Sequence, residues 1–195
     1  MCRMRKVIVF LLFAVAVTTY GFRGLDVSSR SSSMRVNRGY LVCSASPEDA
    51  GRQLYECASR GNIEKLATLL DEAKGNKNIL NWKAAERYGR SPLVISSYYG
   101  RLEAVKLLLA TKGVDPNMGT DFGATALHFA AHRGHVDVVK VLLQDRRIKV
   151  NIPATGGKWT GSTALDVCAG MGMSGKPEII DLIKKKGGKP GKGKS

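Results

Sequence analysis

The sequence predicts an all-α solenoid of about four helix–turn–helix units that are joined by hairpin-like loops. Two observations carry this prediction. The stretch "YGRSPLVISSYYGRLEAVKLLLATKGVDPN" at 88–117 repeats as "FGATALHFAAHRGHVDVVKVLLQDRRIKVN" at 122–151, offset by 34 residues with no gap. Within each copy, apolar residues recur at helical spacing on both sides of a glycine, which indicates two short helices. Such a unit cannot bury its apolar face alone, so neighbouring units stack.

Two further copies flank this pair. The stretch 160–187 aligns after loop insertions near Gly156–Trp159 and Ser174–Lys176, and a degenerate copy at 51–73 aligns with an offset of 39 from the second copy. We therefore expect a repeat domain at 47–187, with units near 51–87, 88–121, 122–159 and 160–187.

The third copy shows the expected elements most clearly. Its helices are predicted near 126–132 and 136–143. Gly134 should end the first helix in a left-handed conformation, and the Thr125 hydroxyl can cap its start. The predicted apolar face consists of Leu127, Ala130, Ala131, Val138, Val139, Leu142 and Leu143. The Lys184–Lys186 run should form a polar outer cap at the C-terminal side of the last unit.

The stretch "GATALHFAAHRGHVDVVKVLL" at 123–143 is similar to the ankyrin repeat pattern G-x-T-P-L-H-x-A-A-x-x-G-H-x-x-V-V-x-x-L-L. The resemblance covers about 51–187. This sequence departs from the pattern at Ala126, where the family prefers proline, in the first copy, which lacks TPLH, and in the insertions of the fourth copy. The resemblance implies an ankyrin-repeat solenoid that binds proteins.

The three histidines, His128, His132 and His135, raise the question of a metal site. No glutamate follows His128 as in the pattern H-E-x-x-H, and the second and fourth copies have Val94 and Asp166 at the His128 position. The resemblance implies that His128 braces a loop, that His135 starts the second helix, and that His132 faces partners. We expect no metal, no cofactor and no enzyme activity, because no phosphate loop or nucleophile pattern is present either.

Cys57 and Cys168 align with Ala130 and Ser96, a position that requires a small residue. We interpret them as buried thiols without a redox or catalytic role. The four cysteines of the chain contain no CxxC pair, and their spacing is too wide for a zinc knuckle or a small disulfide framework.

The first 46 residues are predicted to be a targeting leader. A basic start and the apolar run Val7–Val17 are typical of a signal peptide at 1–21, cut before Phe22; an uncut signal anchor is the alternative. Residues 22–46 are rich in serine and arginine and are predicted to be disordered. Together they resemble the bipartite leader of proteins sent to plastids of secondary origin through the secretory pathway. The alternative is a protein secreted or kept in the endoplasmic reticulum lumen.

The formal charge of +15 is concentrated at the ends of the chain. Residues 1–46 carry +6, residues 184–195 carry +6, and the stretch between them carries only +3. Charge at the ends relates to targeting and solubility before it relates to a binding groove. Nucleic acid is therefore not the partner that the charge pattern favours. The alternative is that a Lys/Gly-rich tail at 188–195, predicted to be disordered, binds nucleic acid or an anionic surface.

The family resemblance implies where a protein partner binds. Ankyrin domains use hairpin tips and the concave face of the first helices. The tip positions in this sequence are Arg87, Tyr88, Arg90, Asp121, Phe122, Ala124, Lys158, Trp159 and Thr160. The concave positions are Ser59, Arg60, Tyr98, Tyr99, His132, Arg133 and Met171. An alternative for Phe122 and Trp159 is that they only cover the insertion loop. We expect a monomeric adaptor with a protein partner and no small-molecule substrate.

Overall fold

The computed structural model describes residues 35–37, 40–42, 46–73, 75–170 and 177–191. The chain divides into two units, Met1–Ser44 and Ala45–Ser195. In the first unit, strands β1 (Arg35–Asn37) and β2 (Tyr40–Val42) form an antiparallel hairpin. This hairpin differs from the predicted absence of regular structure between 22 and 46. Val36 in β1, and Tyr40 and Val42 in β2, are residue types that favour extended backbone. The predicted signal peptide lies outside the described residues.

The second unit is helical in its described part, as the sequence predicts. Its α-helices are α1 (Pro47–Arg60), α2 (Ile63–Glu72), α3 (Lys77–Leu80), α4 (Pro92–Tyr98), α5 (Leu102–Ala110), α6 (Ala126–Arg133), α7 (Val136–Gln144), α8 (Ala164–Ala169) and α9 (Pro177–Lys185). Two 3₁₀ turns, Ala85–Arg87 and Gly157–Trp159, lie in the hairpin loops.

The helices form two layers. The first helices of the copies, α1, α4, α6 and α8, pack on one another in chain order, and so do the second helices, α2, α5, α7 and α9. This is the predicted solenoid of helix pairs. Side chains buried between the layers form one continuous core from Leu54 to Ile183.

The third copy matches its prediction closely. Helices α6 and α7 begin and end within one residue of the predicted bounds. Gly134 follows α6 with φ 73°, a left-handed conformation that glycine adopts without a steric penalty. All seven residues of the predicted apolar face are buried. Cys57 and Cys168 are also buried and free, and burial raises the pKa of both thiols.

The offset of 39 between the first two copies is explained by α3. This extra turn packs against α1, and its Leu80 is 1% exposed. The sequence predicts no element here, because four helical residues are too few to show a period.

Three asparagines at equivalent positions tie each copy to the next. Asn81 donates from Nδ2 to the Gly113 carbonyl and accepts the Asp115 amide at Oδ1, both at 2.8 Å. Asn117 makes the same pair of hydrogen bonds to Arg147 and Lys149, both at 2.7 Å, and Asn151 makes them to Gly187 and Lys189.

The Asn151 bonds correct the predicted start of the tail. Residues 188–191 are held on the fourth copy instead of hanging free: Lys189 accepts the Thr163 hydroxyl, and the Gly191 amide donates to Asp166 at 2.7 Å. The tail occupies the place that the next copy's loop would take, which the residue composition alone does not reveal. Residues 192–195 lie outside the described part of the chain.

Candidate protein-binding surface

His128 serves as a structural brace. Its ring is 1% exposed, and its Nδ1 accepts the Thr125 amide at 3.1 Å. Because an amide can only donate, Nδ1 is unprotonated and the ring proton lies on Nε2, which donates to the Ser162 carbonyl at 3.3 Å. His128 therefore joins the start of α6 to the hairpin that leads into α8. Burial lowers its pKa, so the neutral ring that this arrangement needs is favoured.

The second and fourth copies have other residues at the His128 position, and the start of their first helix is held by other hydrogen bonds. In the fourth copy Asp166 accepts the Thr163 amide at 2.8 Å. The single hydroxyl proton of Thr163 is shared between Asp166, at 2.8 Å, and the Lys189 carbonyl, at 2.9 Å. Burial alone would raise the pKa of Asp166, but hydrogen bonds from Gly191 and Thr163 lower it. In the second copy Val94 is buried, and the Ser91 hydroxyl caps α4 by accepting a hydrogen bond from the Val94 amide.

His135 joins the second copy to the third. It is the N-terminal flanking residue of α7, and its Nε2 lies 3.1 Å from the Tyr98 carbonyl. A side chain at Gly100 would meet the His135 ring at 2.7 Å, so this approach requires glycine. Among the residues that the structure describes, no group of three or more histidines, cysteines or carboxylates could hold a metal ion.

A line of aromatic rings crosses the face of the first helices. We call this line the aromatic row. Tyr98 of α4 lies 5.1 Å from Tyr99 and 5.9 Å from Phe129 of α6, measured between ring centroids. Trp159 continues the row, 5.2 Å from Phe129 and 4.8 Å from His132. The row therefore links the second and third copies, and reaches the hairpin that leads into the fourth, by ring contacts with favourable edge-to-face geometry.

The guanidinium groups of two arginines pack against the rings of the row. Arg133 donates to the Tyr98 hydroxyl at 2.8 Å while its guanidinium carbon lies 4.2 Å from the centre of the same ring. Arg90 lies between Tyr98 and Phe129, at 4.9 and 5.2 Å from their ring centres. These are cation–π distances.

The structure thus brings most of the predicted concave residues together. Tyr98, Tyr99, His132 and Arg133 share one surface, and Arg60 is exposed at the end of α1. His132 is less open than expected, because Trp159 covers one side of its half-buried ring. Its Nδ1 is buried without a hydrogen-bond partner in the described part of the chain, and burial lowers its pKa. Met171 lies outside the described residues.

The predicted tip residues separate into two groups. Arg90 and Trp159 turn onto the aromatic row, and Ala124 is buried. Tyr88 and Phe122 remain at the tips, 61% and 42% exposed, with ring centroids 5.7 Å apart. Phe122 also contacts the insertion loop at Gly156 and Gly157, as its alternative interpretation proposes. The other tip residues are exposed, namely Arg87, Asp121, Lys158 and Thr160.

Tyr88 adopts φ 59°, the left-handed region that residues with a side chain rarely enter. It is the single such non-glycine residue in the part of the chain that the structure describes. In this conformation the Tyr88 ring lies against the Phe122 ring and stays largely exposed, so it is not buried between the helices.

Phe129, Tyr55 and Trp82 belong to this surface but are not among the residues that the sequence predicts for it. Phe129 occupies the variable position between histidine and alanine in the repeat, and its neighbour Arg90 is separated by 39 residues, so no short motif joins them. Tyr55 and Trp82 meet edge-on at 6.0 Å across α1 and the following hairpin. The signal that could have identified them is the recurrence of aromatic residues on the same face of consecutive copies.

Within the described ranges, no helix is long and apolar enough to span a bilayer. A family model for ankyrin repeats in three copies matches residues 99–192.

Curated relatives share the repeat region. The chain is 30% identical over 137 residues to human transient receptor potential cation channel subfamily A member 1, covering 70% of this chain and 11% of the relative. It is 28% identical over 110 residues to the Caenorhabditis elegans ANK repeat-containing protein nipk-1, covering 53% of this chain and 18% of the relative. The chain therefore spans less than a fifth of either relative's length. It is 35% identical over 92 residues to the Xenopus tropicalis Notch-regulated ankyrin repeat-containing protein, covering 47% of this chain and 78% of the relative. With its stacked helix pairs and repeated loop braces, this chain belongs to the ankyrin repeat family.

Proposed function

We propose that this chain is a non-catalytic protein-binding adaptor that recognises its partner with the aromatic row and the neighbouring hairpin tips. The observation that carries this proposal is the continuous row from Tyr99 to Trp159 with Arg133 and Arg90 against it. Ankyrin repeats imply a protein partner, and the row supplies the side-chain types that dominate binding energy in protein interfaces.

The geometry favours binding because these side chains are already ordered. Ring contacts and the bond from Arg133 to the Tyr98 hydroxyl hold both residues in place before a partner arrives. Fewer rotamers then have to be frozen on association, which improves affinity. The exposed pair of Tyr88 and Phe122 extends the apolar surface to the tips. A partner segment with acidic and apolar residues would complement this surface.

The test is capture of partners from the native organism, followed by an affinity measurement with the captured protein. The double variant Tyr98→Ala/Arg133→Glu should keep its helical content and weaken binding by at least about tenfold, roughly 1.4 kcal/mol. Arg146→Glu is the matched control, because Arg146 is exposed and lies beyond α7, away from the row. Normal binding by the double variant, with loss of binding in Tyr88→Ala, would assign recognition to the tips instead.

The same assay separates protein binding from binding of nucleic acid or anionic surfaces by the lysines. Replacing Lys184, Lys185 and Lys186 with glutamine removes exposed charge without removing residues 188–191, which brace the fourth copy. Protein binding should tolerate this change and a moderate rise in salt. A steep salt dependence that disappears in the lysine variant would favour the electrostatic alternative.

We also propose that the protein works in a plastid of secondary origin, which it reaches through the secretory pathway, and that it is a monomer. The support is the apolar run at 7–17 followed by the serine- and arginine-rich stretch. A fluorescent protein fused to residues 1–50 should enter the plastid of an alga of that kind, and Phe22→Ala should stall it earlier. Secretion of both fusions would contradict the plastid assignment. Light scattering of the purified chain tests the monomer.

A further inference from the structure

A cleft lies beyond the aromatic row, at the end of the face nearest the first copy. We call it the Arg90 cleft. Its volume is about 400 Å³, and it is lined by α1, the hairpin that follows α3 and the end of α4. Its apolar walls include the edge-to-face pair of Tyr55 and Trp82, together with Ile95 and Tyr99. Arg87 and Arg90 enter it from the hairpin.

Arg90 forms no ion pair with any carboxylate of the part of the chain that the structure describes. Its guanidinium lies against the faces of Tyr98 and Phe129. Its Nε–H is buried and finds no acceptor among the described residues. A buried donor without an acceptor is unfavourable, so an acceptor supplied from outside the chain would be stabilised there.

The charges around the cleft favour an anion. Five lysines and arginines line it against three glutamates, and Glu56 is already paired with Arg60 at 3.8 Å. Burial raises the pKa of Tyr55, while the positive charges of Arg90 and Arg87 act in the opposite direction. The Tyr55 hydroxyl therefore keeps its proton and can donate a hydrogen bond close to both arginines.

We propose that the Arg90 cleft binds the carboxylate of a glutamate or aspartate side chain in an acidic segment of the partner protein. The proposal rests on the adaptor function above and names the chemical group that the adaptor recognises. Arg90 would donate to the carboxylate in a charge-assisted pair, with Arg87 and Tyr55 as further donors. The aromatic and aliphatic walls would pack on apolar residues that flank the acidic one. The cation–π contacts fix the Arg90 guanidinium before binding, which favours this geometry.

The experiment measures fluorescence anisotropy with the full chain and two labelled peptides. In the first peptide glutamates alternate with glycine, phenylalanine and leucine, and in the second every glutamate is glutamine. The wild-type chain should bind the first peptide at least about tenfold more tightly than the second. Arg90→Gln should remove this difference, whereas the control variant Arg146→Gln should keep it, because Arg146 is equally charged but distant from the cleft.

Arg90→Lys is the second variant, for use if circular dichroism shows that Arg90→Gln does not fold. Lysine keeps the charge but not the planar set of donors, so the preference for the glutamate peptide should fall at least about threefold. An unchanged preference in the folded Arg90 variants overturns the proposal. So does equal binding of both peptides by the wild-type chain, or binding of a phosphoserine peptide without binding of the glutamate peptide.

The adaptor function is tested separately. If the wild-type chain captures a partner that Tyr98→Ala/Arg133→Glu loses, while neither peptide binds, the carboxylate site is wrong and the adaptor function stands.

Discussion

Replacing His128 with alanine tests the brace between the third and fourth copies. The ring is buried and accepts the Thr125 amide, and Thr125 is itself only 4% exposed. Without the ring, that amide has no acceptor, which costs roughly 1–3 kcal/mol. The Ser162 carbonyl is half-buried and can bond to water, so losing its partner costs only about 0.5–1 kcal/mol. Together these terms give a loss of about 1.5–4 kcal/mol, and the void left by the ring adds to this loss.

The assay is urea denaturation followed by circular dichroism, at about pH 7.5 and at about pH 5.5. The pKa of His128 is lowered from 6.5 in the folded chain, so below that value the unfolded chain binds the extra proton first. The free energy of unfolding should therefore fall as the pH drops through about 6.5. His132, whose pKa burial also lowers, contributes in the same direction in both chains.

The variant should consequently be less stable at the higher pH and show a smaller loss between the two pH values. Identical pH dependence in the two chains, or a loss below about 0.5 kcal/mol at the higher pH, would refute the buried, neutral His128 described above.

Further predictions concern the core, the asparagine hydrogen bonds between copies, metal ions and the thiols. Leu127→Ala should cost roughly 2–5 kcal/mol by urea denaturation, because the side chain is 2% exposed in the stack, and a loss below about 1 kcal/mol would contradict that burial. Asn117→Ala should cost about 1–3 kcal/mol through its two inter-copy hydrogen bonds, whereas the exposed control Arg146→Ala should stay within about 0.5 kcal/mol. Zinc and a chelator should leave the melting temperature unchanged, and a drop with chelator would revive a metal site. Cys57 and Cys168 should react with a thiol reagent only after unfolding, since both are buried with raised pKa values; rapid reaction in buffer would show that they are accessible.

The fold was predictable because the same pattern of apolar residues and glycines recurs in several copies. Each copy has the apolar spacing of two short helices, and in the third copy Thr125 and Gly134 mark where the first helix begins and ends. The α3 turn and the docked residues 188–191 were not predictable. Both depend on contacts with chain segments more than 30 residues away, such as Asn81 with Gly113 and Asn151 with Lys189.

The candidate site was predictable as a surface but not as a set of contacts. Alignment of the copies places Tyr98 and Arg133 side by side, and the structure adds their hydrogen bond. The alignment does not reveal that the Arg90 side chain turns away from the tip to lie between Tyr98 and Phe129, because that depends on packing between copies. The left-handed conformation of Tyr88 is likewise invisible in a sequence where most turns of this kind use glycine.

The most direct test of the adaptor function is photo-crosslinking from single positions of the full chain. A photoreactive phenylalanine analogue replaces Tyr99, which is 49% exposed at the end of the row, or Lys106, which is exposed on the second helix α5. We expect the captured partner to crosslink from Tyr99 and not from Lys106. Crosslinking from Lys106 alone would contradict binding at the aromatic row and place the partner on the second-helix layer.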